Sequence, residues 1–82
     1  MRDKLLSAIR EASLILTVDS SLIQTKFPTH LTGLVELKVC LLDPDLSFLS
    51  EELQVTLSFY SRPFFLRIPY RSILSFKKGK LS

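Results

Sequence analysis

The sequence predicts a mainly β domain, with one N-terminal helix followed by a small antiparallel barrel or sandwich of five to six strands. Three observations carry this. The stretch 53–60 alternates strictly: Leu53, Val55, Leu57 and Phe59 point one way, and Gln54, Thr56, Ser58 and Tyr60 the other. A period of two is that of a half-buried strand. Short runs rich in branched and aromatic residues recur between turn-forming residues, as in antiparallel sheets. Helical spacing is confined to the beginning of the chain, where Leu5, Ile9 and Ala12 share one face.

Taken in order, 3–12 reads as a short helix with Asp3 as its cap or dipole partner. A helix this short is not stable alone, so its apolar stripe must dock on the sheet, on a second copy of the chain, or on both. The run 14–18 is the first strand, ended by the turn residues Asp19, Ser20 and Ser21. An irregular strand is expected over 22–27, interrupted by Pro28, with a loop over 29–33. Val35, Leu37, Val39 and Leu41 alternate with Glu36, Lys38 and Cys40, giving the next strand. Asp43-Pro44-Asp45 starts a turn or one helical turn with Asp43 as its cap, and Leu46, Phe48 and Leu49 anchor it to the core. After the solvated bend 50–52 come the strand 53–60, a break at Ser61-Arg62-Pro63, a strand over 64–68 ended by Pro69, and a last apolar piece over 73–76. The 82 residues form one domain over 1–76 and a basic, fraying tail over 77–82.

Composition narrows the function classes. One cysteine rules out a disulfide within the chain, and no apolar run approaches a membrane span. A cytoplasmic protein without membrane contact is expected. His30 is the single histidine and lies in a loop with no nucleophile-elbow pattern around it. Cys40, on the polar face of its strand, reads as a half-buried structural thiol, because one Cys and one His do not make a metal site. Asp43, Asp45, Glu51 and Glu52 flank turns and read as solvated carboxylates. With Gly33 and Gly79 the only glycines, there is no phosphate-cradling loop. The chain reads as a non-enzyme without metal or other cofactor. The aromatics are more informative: Phe59 and Phe64 belong on the inner face, Tyr60 and Phe65 on the outer one, where exposed rings invite a partner.

The segment Pro63-Phe64-Phe65-Leu66-Arg67-Ile68-Pro69-Tyr70-Arg71-Ser72-Ile73-Leu74-Ser75-Phe76 resembles the Pro-x-x-Val-x-Val-Pro-x-x-Ala-Val-x-Ala-Ile segment of the stringent starvation protein B family. Lys4-Leu5-Leu6 looks like the start of that family's helix, and 14–19 is similar to its first strand, which ends Val-x-Val-Asp. Phe27-Pro28 resembles its Val-Pro pair, and Gly33 with 35–39 its Asp-Gly-x-Ile-Val-Leu-Asn-Ile strand. The chain departs from the family at Ser58-Phe59-Tyr60-Ser61, where the family has Arg-Phe-Gly-Gly, and its helix is several residues shorter.

Members of this family are bacterial adaptors that deliver tagged substrates to the ClpXP protease. The resemblance implies an Sm-like or SH3-like barrel and a non-enzymatic adaptor that captures extended or degradation-tagged peptides for an AAA+ unfoldase. By position, Leu42, Asp43, Pro44, Ser58, Phe59 and Tyr60 line the peptide groove. The resemblance likewise implies a homodimer with Leu5, Leu6, Ile9 and Ala12 at its interface. The alternative is a small barrel that binds RNA, carried by Lys77, Lys78 and Lys80 with exposed Tyr60 or Tyr70.

Overall fold

The computed structural model describes residues 1–23 and 33–79. The expected strand over 22–27, beyond its first two residues, lies outside the described residues, as do His30 and the tail's end at 80–82. In chain order the elements are α1 (Arg2–Ile9), β1 (Leu14–Asp19), β2 (Leu34–Val39), β3 (Ser47–Phe48), β4 (Glu52–Phe59), β5 (Arg62–Pro69) and β6 (Ile73–Lys78). Two 3-10 turns, Ser20–Leu22 and Tyr70–Ser72, punctuate the chain. The strands form two three-stranded antiparallel sheets, in the orders β2-β1-β6 and β3-β4-β5. Among the described residues the two sheets do not join into a closed barrel.

The period-two pattern decides which side chains enter the core. Leu14, Leu16 and Val18 of β1, Val35, Leu37 and Val39 of β2, and Leu53, Val55 and Leu57 of β4 are all buried, and the residues between them are half-buried or exposed. Leu66 and Ile68 of β5 and Ile73 of β6 complete one shared apolar core. Leu5, Ala8 and Ile9 of α1 enter the same core, so the helix stripe docks on its own sheets. The helix is shorter than the spacing predicts. It ends at Ile9, and the N–H groups of Glu11 and Ala12 both donate to the Ala8 carbonyl. Its N-cap is Met1, without a side-chain hydrogen bond, so Asp3 lies inside the first turn rather than capping it.

Three expected boundaries shift for identifiable reasons. β2 stops at Val39 because the Asp43 carboxylate accepts the Cys40 N–H at 2.8 Å, while the Asp43 N–H donates to the Cys40 carbonyl at 3.0 Å. That closed turn takes the backbone out of the strand and leaves Leu41 and Leu42 exposed at 56% and 92%. Pro63 lies inside β5 rather than before it. The Glu52 carbonyl accepts from Leu49 and the Thr56 N–H donates to Pro44, so even-numbered residues of β4 turn their main chain away from β5. The register Ser58↔Pro63 then aims the proline nitrogen at the outer edge of β5, where a missing donor costs no ladder bond. Finally, Lys77 and Lys78 do not belong to a fraying tail. They pair with Ile15 and Leu14 in the β1–β6 ladder, which the Gly79 N–H extends to the Ser13 carbonyl at 2.7 Å.

β4 and β5 are joined by a two-residue turn in which Tyr60 and Ser61 both have positive φ, 54° and 65°. Two consecutive left-handed residues make a type I′ turn, whose twist matches the strands it connects. The glycine pair of the resembled family is absent, yet the backbone keeps the conformation glycine favours.

Candidate functional site

A cleft of about 410 Å³ lies between 36–38 of β2 and 56–59 of β4. Asp43, Pro44 and Pro63 also line it. The 40–45 turn is fixed there by hydrogen bonds. Besides those between Asp43 and Cys40, Thr56 donates from its backbone N–H to the Pro44 carbonyl at 2.9 Å and from its hydroxyl to Asp45 at 2.7 Å. The walls are the side of β2 away from β1 and the end of β4 that runs on beyond its pairing with β3. In β2 the Gly33 carbonyl accepts from Ser20, so odd-numbered residues face β1 and the main-chain groups of Leu34, Glu36 and Lys38 face away from it. In β4 the same alternation turns the Ser58 N–H and carbonyl and the Thr56 carbonyl away from β5, towards the cleft. Leu37 and Leu57 contribute apolar side chains from within the core, 1% and 8% exposed. The rings of Phe59 and Phe64 meet edge to face, with centroids 5.6 Å apart.

Of the six residues expected in a groove, Asp43, Pro44, Ser58 and Phe59 do line this cleft. Leu42 does not. It lies beside a separate depression of about 260 Å³ shared with Ile9, Ala12 and Cys40. Tyr60 is not part of the lining either; it sits at the hairpin tip, 78% exposed. The β2 wall has no place in the sequence-based expectation. Alternation identifies 34–39 as a strand, but whether a strand is an edge depends on pairings made elsewhere in the chain.

Leu5 and Ile9, expected at a dimer interface, are 0% and 3% exposed within the single chain. They are spent on the protein's own core. Leu6 and Ala12 are only half-buried and are the two residues of that set still open to a partner.

Three of the four carboxylates expected to be solvated, Asp43, Asp45 and Glu52, prove to be clasps, while Glu51 is exposed. Asp43 holds Cys40, whose thiol lies 3.5 Å from its other oxygen, and Asp45 holds Thr56. Glu52 accepts a forked pair from Arg67 at 2.8 and 3.0 Å, and Gln54 adds a third donor at 3.0 Å. Hydrogen bonds from Arg67 and then Gln54 hold the Glu52 carboxyl below its ordinary range. The Lys78 ammonium bonds Glu11 and lowers that carboxyl likewise. Lys77 stands 4.0 Å from Glu36. Both lysines of the basic run that are described therefore face carboxylates. Burial raises the Tyr70 phenol, which donates to the Leu49 carbonyl at 2.6 Å.

Among the described residues no group of three or more His, Cys, Asp or Glu side chains could hold a metal ion. Nor, among them, is any helix long and apolar enough to cross a membrane. Comparison of the chain with protein-family models, curated proteins and solved structures found no match.

Proposed function

We propose that this chain is a non-enzymatic peptide-binding protein, and that the cleft between β2 and β4 takes an extended segment of a partner protein. The observation that carries the reading is the pair of outward-facing main-chain edges on a cleft with an apolar floor. Sheet edges recognise extended peptides by main-chain hydrogen bonds, and pockets between them select alternate side chains. The four groove residues of the sequence-based expectation that line the cleft support the same reading.

The adaptor role, delivery of the captured segment to an AAA+ protease such as ClpXP in the cytoplasm, rests on the resemblance of 63–76 to the stringent starvation protein B family. The Sm-like or SH3-like class belongs to the same proposal and is supported by the helix-first order and the single core shared by two short sheets. Association of two copies through α1 would use Leu6 and Ala12, so Leu6→Asp is the variant that should yield a folded monomer in sedimentation. RNA binding has less support, since Lys77 and Lys78 lie against Glu36 and Glu11.

The test is fluorescence anisotropy with two labelled probes, a C-terminal degradation-tag peptide and an alternating Val-Thr octapeptide. Saturable binding of either at tens of micromolar, weakened by Phe59→Ala, is expected. Absence of saturation for both, with a folded protein, would remove the peptide-binding reading. Delivery is tested separately, by whether the protein accelerates ATP-dependent degradation of a tagged substrate.

A further inference from the structure

Two edges, rather than one, bound the cleft. Among the described residues, the main-chain groups without a ladder partner are those of Leu34, Glu36 and Lys38 on the β2 side, and those of Ser58 and the Thr56 carbonyl on the β4 side. A peptide added to a single edge would satisfy one row and leave the other facing the remaining space. We infer that the occupant is one extended strand hydrogen-bonded on both sides at once, joining the two sheets into a continuous one in the order β6-β1-β2-guest-β4-β5. This rests on the peptide-binding reading of the same cleft and goes beyond it by fixing how the guest is held.

The dimensions and chemistry of the walls specify the guest. The facing stretches are 36–38 and, beyond the Thr56 that Pro44 and Asp45 already hold, 57–59, so the guest contributes about three residues, about 10 Å of strand. On its inward face a guest side chain rests between Leu37 and Leu57, with Pro44 and Phe59 at its flanks. On its outward face it runs between Glu36 and Lys38 on one side and Ser58 on the other, which suits polar side chains. The partner is therefore a segment of alternating apolar and polar residues without proline at its centre. Because both rows of its own main-chain groups are used, every central N–H of the guest is required, odd and even alike.

The directions of the edge groups supply a selective test. The Lys38 N–H points away from β1, and the Ser58 N–H away from β5. Lys38→Pro and Ser58→Pro each delete one cleft-facing donor while sparing the ladders to β1 and β5. With the Val-Thr octapeptide as probe, each substitution should weaken binding about tenfold, with the thermal midpoint of the free protein little changed. If a variant does not fold, hydrogen exchange on the unsubstituted protein gives the same answer: the octapeptide should slow the amides of Glu36, Lys38 and Ser58 together. Binding that responds to Ser58→Pro alone, with the Glu36 and Lys38 amides exchanging as before, would leave the peptide-binding reading standing and overturn the two-sided strand. Slowing of all three amides without peptide, accompanied by self-association in sedimentation, would overturn it in favour of a second copy as occupant. Failure of the octapeptide and the tag peptide to bind at all removes both readings together.

Discussion

Tyr60 and Ser61 hold positive φ at the tip of the β4–β5 hairpin, a region that side chains with a Cβ enter at a cost. Asn and Gly are the residues that type I′ turns prefer. Tyr60→Asn with Ser61→Gly should therefore raise stability by about 0.5–1 kcal/mol per position, read as a higher urea midpoint at unchanged slope. An unchanged midpoint would mean that contacts made by Tyr60 offset the conformational gain. Asp43 makes the opposite case. Its carboxylate is the acceptor for the N–H that ends β2, so Asp43→Ala leaves that half-buried donor without its partner. A loss of about 1–3 kcal/mol is expected from chemical denaturation. Neither feature is legible in the residues alone. Tyr-Ser carries no turn signature, and the sequence offers Asp43 equally well as a helix cap or as a solvated carboxylate.

At the scale of elements, what local pattern can encode was legible: β2 and β4 fall where apolar and polar residues alternate, β1, β5 and β6 fall on the short apolar runs between turn residues, and the predicted inner residues of 53–59 are those that enter the core or pack against it. What it cannot encode is which neighbour each strand finds. Pro63 reads as a break because a proline removes a ladder donor, yet in β5 the missing donor points off the sheet. The same parity yields a paired prediction. Phe65→Pro, at a position whose N–H points away from β4, should leave a folded protein with a native-like circular dichroism spectrum. Leu66→Pro, one residue on, deletes a donor to Val55 and a fully buried side chain, and should abolish cooperative unfolding. The helix follows the same logic. Its apolar spacing was visible, but not that the chain's own sheets consume it. Leu5→Asp or Ile9→Asp should unfold the chain by placing a charge in the core rather than release folded monomers, whereas Leu6→Asp should retain the fold.

For the molecule as a whole, forked and paired carboxylates couple parts of the chain that lie far apart in sequence. Glu52 and Arg67 tie adjacent strands of one sheet, and Glu11 and Lys78 tie the segment after α1 to β6 of the other. In both cases the hydrogen bonds hold the folded carboxyl below its ordinary value. The unfolded chain therefore takes up protons at these sites before the folded one does, and stability falls as protons are added. The contribution is fully present above the unfolded value and is lost as pH falls through the folded one. The thermal midpoint should accordingly be level above about pH 5.5 and decline as the pH is lowered past about 4.3. Glu52→Gln should flatten part of that decline while lowering the midpoint at neutral pH. The Glu11–Lys78 pair stands in solvent, with side chains 65% and 53% exposed, so Glu11→Gln should have an effect that fades as salt is added. A decline of equal steepness in Glu52→Gln and the unsubstituted protein would assign the acid sensitivity to other carboxylates, with Asp19, lowered by its hydrogen bonds from Ser21, the next to replace.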